Sequence, residues 1–243
     1  MTASKADIIA QLQKQLIPLQ GLRSALNGIG VEAGPGPQKL SFPNDVLSFG
    51  AVHEFICAGA EEAAATGGFI AAVLATLMKS GGATIWISSQ RTLFPPGLKV
   101  FGLEPENIIF LDLQKTKDML WVLEEALKCN GIAAVVGEIP EISFTISRRL
   151  QLAVEQSGVM GFILRNNPRN LTTTACVSRW NITSLPSVLE DAMPGVGFPR
   201  WNATLLKIRN GKPGNWQVEW KAGKFRAIPP LATAIIKELR KAG

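Results

Sequence analysis

The octapeptide GAEEAAAT, residues 59–66, is the stretch of this chain whose spacing comes nearest to phosphate chemistry. It lies between two apolar runs, as does the P-loop G-x-x-x-x-G-K-[ST], whose backbone N–H groups and lysine hold nucleotide phosphates. Gly59 and Thr66 match the first glycine and the last hydroxyl residue of that pattern. Ala64 replaces the second glycine and Ala65 replaces the lysine, so the segment lacks the side chain that contacts the β- and γ-phosphates.

Two acidic residues in the same segment, Glu61 and Glu62, oppose phosphate binding further. A carboxylate about 6 Å from a phosphate charge costs on the order of 2–3 kcal/mol at an effective dielectric constant near 20. The missing lysine removes a charge-assisted contact of roughly 1.5–3 kcal/mol. We therefore expect no ATP hydrolysis at this segment.

The carboxylate that would handle Mg²⁺ is also displaced. In a P-loop ATPase, an aspartate is expected at the end of a core strand; here the strand predicted over 132–136 is followed by Gly137 and then Glu138. Gly137 stands where the motif has its aspartate. Because neighbouring strand residues point to opposite faces, we expect the Glu138 side chain to point to the other face of the sheet. The loss of lysine and carboxylate at matching places favours a degenerate ATPase core over an ordinary turn.

Other catalytic and metal chemistries have few residues to work with. His53 is the single histidine, and Cys57, Cys129 and Cys176 are scattered without a C-x-x-C pair. A zinc site, a disulfide framework and a Ser-His-Asp triad are thus not predicted, and we expect neither a metal nor a cofactor. We expect His53 to be hydrogen-bonded near the end of a strand.

Composition and charge indicate the class of protein. The chain has 243 residues, of which 47% are hydrophobic and 18% charged, as in a globular protein with a large core. No apolar run nears the eighteen or so residues of a membrane span, and no secretory signal begins the chain, so we expect a cytoplasmic protein without membrane contact. The net charge is +6. Residues 196–243 carry ten Lys/Arg against two Glu, or +8, which indicates nucleic acid, an acidic partner or simply a solvated face.

The alternation of short apolar runs with helical patterns predicts an α/β fold with a mostly parallel sheet covered by helices. The predicted strands are 52–57, 83–88, 107–111, 132–136 and 159–164, and the predicted helices are 66–79, 116–129 and 144–157. After Arg165, alternating residues predict an antiparallel extension at 177–182, 201–208 and 216–221, whose last two strands join through the Gly-rich loop 209–214.

The two ends of the chain are expected to be separate from this core. Residues 6–17 have helical spacing and precede a Gly/Pro-rich linker at 28–37, and residues 228–243 form a basic amphipathic tail. The predicted organisation is an N-terminal helix and linker at 1–38, a core at 39–227 and a tail at 228–243.

Several collinear segments resemble the RecA-like ATPase core and, more closely, the ImuA family of RecA-derived accessory proteins. These segments are Gly50–Glu54, Pro95–Leu98, Phe101–Leu103, Trp121 with Glu124–Leu127, Ala133–Glu138, Ser147–Ala153 and Pro199–Trp201. They run over nearly the whole predicted core. In the RecA-like pattern the catalytic glutamate after the second core strand falls on Gln90, whose amide is not a base. The resemblance therefore implies a P-loop relic that is retained as scaffold, with Ala65, Gln90 and Gly137 at disabled positions.

The resemblance also implies a function and partners. ImuA-family proteins are accessory factors in the SOS mutagenesis of bacteria, where they support translesion synthesis after DNA damage. The implied partner is an ImuB-type homologue of Y-family polymerases, with RecA, an error-prone replicative-type polymerase and single-stranded DNA as further candidates. The implied activity is non-enzymatic and acts through protein–protein contacts. Two alternatives remain open, a SulA-type cell-division inhibitor that binds FtsZ and a weak nucleotide-binding ATPase.

Candidate contacts follow from the basic residues and the N-terminal helix. Basic side chains are candidates for phosphate or partner contacts, although Arg148 and Arg149 would equally suit pairing with acids. The full set is Arg148, Arg149, Arg165, Arg169, Arg179, Lys207, Arg209, Lys212, Lys237, Arg240 and Lys241. RecA-like cores associate through an N-terminal segment, so Ile8, Ile9 and Leu12 are candidates for association with a partner or a second copy.

Overall fold

The computed structural model describes residues 31–32, 47–188 and 196–228, and within them the strands form one ten-stranded sheet. The strands are β1 Val31–Glu32, β2 Val52–Cys57, β3 Ala83–Ser88, β4 Ile108–Asp112, β5 Ile132–Glu138, β6 Met160–Asn166, β7 Ser178–Leu185, β8 Arg200–Ile208, β9 Gly214–Lys221 and β10 Lys224–Ala227. The α-helices are α1 Ala60–Leu77, α2 Thr116–Leu127 and α3 Phe144–Ser157, with 3₁₀ segments at Met78–Ser80, Pro95–Phe101 and Pro105–Asn107.

The first half of the sheet is parallel and confirms the predicted α/β class. Its strand order is β4-β3-β5-β6-β2-β7, and each neighbouring pair is parallel. The central strands β2 and β6 are buried on both faces because helices cover both sides. Helix α1 packs on one face, while α2 and α3 pack on the other.

The second half of the sheet is the predicted antiparallel extension. Strands β7, β8, β9 and β10 pair antiparallel in sequence order. Strand β10 was not predicted from the sequence, and neither was β1, which lies inside the predicted linker and pairs in parallel with β10. Both strands are short, so the alternation of apolar and polar residues in them is too brief to predict a strand.

Helix α1 begins six residues earlier than the sequence predicts. It starts at Ala60, directly after Gly59, and the Ala63 N–H already donates to the Gly59 carbonyl at 3.0 Å. Alanine and glutamate are strong helix formers, and acidic residues in the first turn suit the positive end of the helix dipole. The segment that matches the phosphate loop therefore forms the first two turns of a helix.

Helix α1 is also the core helix of the fold. Among the described residues it alone has the length and mean hydropathy, 1.2, of a membrane span, but 61% of it is buried inside the protein. Phe69 packs against the rings of Trp201 and Phe225, with centroids 5.8 Å and 5.2 Å away. Gly68 allows the Phe101 ring to pack closely against the helix, since a Cβ at this position would lie 3.3 Å from that ring. Burial against these aromatic residues explains the apolar length of the helix.

The predictions for the chain ends lie outside the described residues. This holds for the N-terminal helix with Ile8, Ile9 and Leu12 and for the tail with Lys237, Arg240 and Lys241. The division of the chain at residues 38 and 227 also stays a prediction.

Candidate functional site

A cavity of about 670 Å³ opens beside the first turns of α1, at the carboxyl ends of β3, β5 and β6. Ligands of open α/β sheets bind at this end of the strands. The wall opposite α1 is the segment 92–101. The lining is mostly apolar and consists of Gly59, Ala60, Ala63, Ala64, Gly67, Gly68, Trp86, Thr92, Leu93, Phe94, Gly97, Leu98, Phe101, Glu138, Leu164, Asn166 and Asn167.

The four P-loop positions do not converge on this cavity. Gly59 and Ala64 line it, whereas Ala65 belongs to the core cluster under α1. Thr66 is fully buried, and its hydroxyl oxygen accepts a hydrogen bond from the Cys57 thiol at 3.3 Å. A lysine at position 65 would begin in the core rather than in the cavity, and the Thr66 hydroxyl is not available to a metal ion.

The amino end of α1 is occupied by the protein's own carboxylates. Glu62 Oε2 accepts from the Ala58 N–H at 2.8 Å and from Asn181 Nδ2 at 2.8 Å, and Glu61 Oε1 accepts from the Ser184 hydroxyl at 2.8 Å. A helix N-terminus favours an anion because its first N–H groups are unpaired. The N-cap position of α1 has no side-chain hydrogen bond, and the negative charges of Glu61 and Glu62 in the first turn would repel a phosphate there.

Gly137 and Glu138 point to opposite faces of the sheet, as expected, but the cavity lies on the face of Glu138 and not on that of Gly137. A Cβ built at Gly137 would lie 3.2 Å from Leu123 of α2, on the opposite face of the sheet. Glu138 lines the cavity instead, and its Oε1 accepts from Trp86 Nε1 at 2.8 Å. A carboxylate is thus present on the cavity side at the end of β5, one residue after the position of the motif's aspartate.

The electrostatics of the cavity disfavour anions. Burial raises the pKa of Glu138. The hydrogen bond from Trp86 lowers this pKa, and the negative charge of Asp112 raises it further. Burial also raises the pKa of the Cys57 thiol, and the charges of Glu62 and Glu138 add to that rise. Of the described residues that line the cavity, none is a lysine or an arginine. A polyphosphate would meet the Glu138 carboxylate and no cation among the described lining residues.

Gln90 does not take part in this site. It is exposed, two residues beyond the end of β3, and is not among the residues that line the cavity. The position that the RecA-like pattern assigns to the catalytic glutamate therefore lies outside the cavity, and it carries an amide instead of a carboxylate.

Arg165 and Arg179 are structural, which corrects their assignment as candidate surface contacts. Arg165 is completely buried and donates to Glu54 Oε1 at 2.9 Å and to Glu141 Oε2 at 3.2 Å. Arg179 Nε donates to Glu54 Oε2 at 2.7 Å. The Thr174 hydroxyl also donates to that oxygen, at 2.8 Å. A buried carboxylate with two guanidinium partners leaves neither arginine available to DNA.

The other basic candidates fall into two groups. Arg149 pairs with Glu124 of α2, and Arg209 donates to the Ala175 carbonyl at 2.8 Å, so both also have structural partners. Arg148, Arg169, Lys207 and Lys212 are exposed. Arg149 is exposed as well, but its guanidinium is paired with Glu124.

His53 is a structural histidine, as the sequence predicts. It is fully buried in β2; Nε2 lies 3.1 Å from the Ser48 carbonyl and therefore donates to it, which leaves Nδ1 to accept from the Ser178 hydroxyl at 2.7 Å. Burial lowers its pKa from 6.5 to about 4. The histidine is held neutral and contacts no part of the cavity.

Three residues of the site and its support were not predicted. Glu54 sits in a strand that reads as apolar, and its partners are more than one hundred residues away. Trp86 lies in the second half of β3 and Asn166 ends β6, and both line the cavity. The one available signal is their position at the carboxyl ends of parallel strands, where polar side chains from different strands meet. Among the residues that the structure describes, no three His, Cys, Asp or Glu side chains gather as a metal site.

The parallel sheet between α1 and the α2–α3 pair, with a cavity at its carboxyl end, defines a RecA-like α/β protein. The structure of the RadB recombinase superposes with a TM-score of 0.51 at 15% identity, over 74% of this chain and 92% of that one, which is a likeness of fold. No protein-family model matches the chain.

Relatives identify the family. ImuA proteins from two strains of Caulobacter vibrioides are each 35% identical over 208 residues, or 79% of this chain and 85% of theirs. The chain belongs to the ImuA family. The cell division inhibitor SulA of Photorhabdus laumondii is 27% identical over 104 residues, which cover 43% of this chain and 59% of that protein.

Proposed function

We propose that this protein is a non-catalytic accessory factor in DNA-damage-induced mutagenesis, where it supports translesion synthesis in the cytoplasm. The observation that carries the proposal is its membership in the ImuA family along most of the chain. The expected partner is an ImuB-type homologue of Y-family polymerases. RecA, an error-prone replicative-type polymerase, single-stranded DNA and a second copy of the chain are further candidate partners.

The site supports a role without nucleotide hydrolysis. The segment that would hold phosphates forms the first two turns of α1, which place the negative charges of Glu61 and Glu62 at the amino end of that helix. Position 65 carries an alanine within the core cluster. Within the described residues, the site has no anchoring lysine, no open loop and no positive electrostatic potential for phosphate. These features support a role in protein contacts rather than in ATP binding.

Complementation tests the cellular role. A bacterial strain that lacks its own ImuA-family protein would receive this chain, and damage-induced mutation frequency would be measured together with cell length. Restored mutagenesis at normal cell length is expected, and Gln90→Ala should restore it equally because Gln90 lies outside the cavity. Failure to restore mutagenesis despite normal protein levels would contradict the proposal.

Nucleotide binding is tested on the purified protein. Thermal unfolding with and without millimolar ATP and Mg²⁺ should give the same midpoint, because a ligand stabilises a protein only if it binds the folded state. A rise of several degrees, or measurable hydrolysis, would restore the weak ATPase as the better account.

The similarity to SulA favours one second candidate, a cell-division inhibitor that acts on FtsZ. It spans 43% of the chain, whereas the ImuA match spans 79%. The same complementation experiment separates the two, because an inhibitor of division would produce elongated cells without restoring mutagenesis.

A further inference from the structure

We propose that the cavity beside α1 binds an arginine side chain presented by a partner protein. The ligand class follows from two features that meet in the cavity, a pair of hydrogen-bond acceptors without a cation and an apolar wall that continues to the surface. The inference stands on the cavity itself and does not depend on which protein the partner is.

The acceptors are Glu138 and Asn166. Asn166 Nδ2 lies 3.4 Å from Glu138 Oε2, and this carboxylate fixes the orientation of the amide, because the reversed amide would place two acceptors face to face. The other amide atom, Asn166 Oδ1, is buried and has no hydrogen-bond partner within the described part of the chain. Buried polar atoms are normally satisfied, so this acceptor beside a carboxylate calls for a donor outside the described chain, either a water molecule or a ligand group.

No cation of the described chain compensates the charge of Glu138. Across residues 47–188 and 196–228, no lysine or arginine forms an ion pair with it. The basic residue beyond β3, Arg91, is held by Asp112 at 2.7 Å and lies over the Phe110 ring at 5.1 Å. A guanidinium with its five donors can serve the carboxylate and the amide oxygen together, which an ammonium does less well.

The apolar wall suits the stem of such a side chain. Leu93, Leu98, Phe101 and Leu164 line the cavity, so methylene groups would be buried while the charged end reaches Glu138. Aromatic faces beside the path also favour a cation. The same acidic and apolar lining excludes a nucleotide polyphosphate.

The rim of the cavity points to a protein as the source of the arginine. Phe94 lines the cavity yet is 71% exposed, and Val100 on the same segment is 70% exposed. Large exposed apolar side chains next to a concave site mark contact with a further apolar surface. A partner segment with apolar residues next to its arginine would cover both residues, whereas a small cation would cover neither.

The test compares matched peptides on the full-length protein by methyl NMR. The probes are Ac-Leu-Arg-Phe-NH₂, the same peptide with citrulline, which keeps the shape without the charge, and n-butylguanidinium. The methyl signals of Leu93, Leu98 and Leu164 report occupancy. The arginine peptide should shift them saturably and bind at least ten-fold more tightly than either the citrulline peptide or n-butylguanidinium.

Variants then locate the charge. Glu138→Gln keeps an acceptor for Trp86 but removes the negative charge, and it should weaken the arginine peptide at least five-fold. Glu104→Gln, an exposed carboxylate paired with Lys99, is the matched control and should change nothing. A variant with Lys237, Arg240 and Lys241 all replaced by glutamine should bind as the wild type does.

Three results would overturn the proposal. Equal binding of the arginine and citrulline peptides would remove the role of charge, and this comparison needs no variant. Equal binding of the peptide and n-butylguanidinium would leave a small-cation site without a protein occupant. Tighter peptide binding by the Lys237/Arg240/Lys241 variant would make the chain's own tail the occupant.

Discussion

The Arg165 guanidinium donates to Glu54 Oε1 at 2.9 Å, and both side chains are completely buried. The pair joins β6 to β2 in the centre of the sheet. Arg165 also donates to the carbonyls of Pro140 and Asn170, at 2.9 Å and 2.7 Å. One side chain thus holds the segments that follow β5 and β6, which is the role the structure gives to a residue that sequence reasoning assigned to DNA.

Replacing Arg165 with leucine should therefore destabilise the protein strongly. The variant leaves Glu54 buried with only Arg179 as a charged partner, and breaking a buried ion pair costs about 3–5 kcal/mol. Urea unfolding measures the loss. Arg169→Leu is the control at an exposed position and should change the free energy of unfolding by about 0.5 kcal/mol or less. A stable Arg165 variant would contradict the structural role.

Restoring the missing P-loop lysine should harm the fold without creating an ATP site. Ala65 belongs to the core cluster under α1, so Ala65→Lys forces a charge toward the core and should cost at least about 2 kcal/mol. Ala64→Lys, one position earlier, is exposed and should be nearly neutral. Denaturant unfolding and ATP-dependent thermal shift check both variants. An Ala65 variant that gained ATP affinity would show that a phosphate loop forms after all.

Stability should depend on pH through His53. Its pKa is about 4 in the folded protein against 6.5 in the unfolded chain, so the unfolded chain takes up a proton first as the pH falls. The free energy of unfolding should then decrease between pH 6.5 and pH 4, by about 3 kcal/mol across that window, and this contribution should be constant below it.

The comparison with His53→Gln isolates this effect, since all carboxylates titrate in both proteins. Urea unfolding from pH 4 to pH 7.5 should give a difference between the two proteins that grows with pH and levels off above 6.5. Parallel curves would mean that the pKa of His53 is the same in the folded and the unfolded protein.

DNA binding, if it serves the proposed function, should come from exposed basic residues and ignore ATP. Lys207 and Lys212 are exposed on β8 and in the β8–β9 loop. Fluorescence anisotropy with labelled single-stranded DNA at several salt concentrations should show weak binding that falls steeply with salt. Replacing both lysines with glutamine should reduce the salt slope by about 1.4, whereas Lys117→Gln on α2 should leave it unchanged. Binding that required ATP would contradict the non-catalytic role.

Local patterns predicted the central elements well. Strands β2 and β3 and helix α3 have the predicted bounds. Helix α3 is bounded on both sides by residues with a clear role, since the Ser143 hydroxyl accepts from the Ile146 N–H and Gly158 takes a left-handed conformation at φ 76°. Short-range signals of this kind are visible in a sequence.

The predicted start of α1 and the choice of Gly137 as the β5 residue that faces the site were wrong for a common reason. In both places a motif was given more weight than the local chemistry. The Ala/Glu-rich stretch favours a helix from its first residues. In β5, alternation places Gly137 and Glu138 on opposite faces of the sheet, but packing decides which of the two faces borders the cavity. The buried Glu54–Arg165 pair was missed because nothing local in either strand identifies a partner 111 residues away.

The two-residue strand β1 also protects the sheet against self-association. Val31 and Glu32 pair with Phe225 and Arg226 and so cover the outer edge of β10. An uncovered edge presents unpaired N–H and C=O groups that readily pair with another chain. Because β1 lies far before β10 in the sequence, this pairing carries the loop-closure cost of a long-range contact. A chain shortened past Glu32 would leave this edge of β10 open and should aggregate more readily.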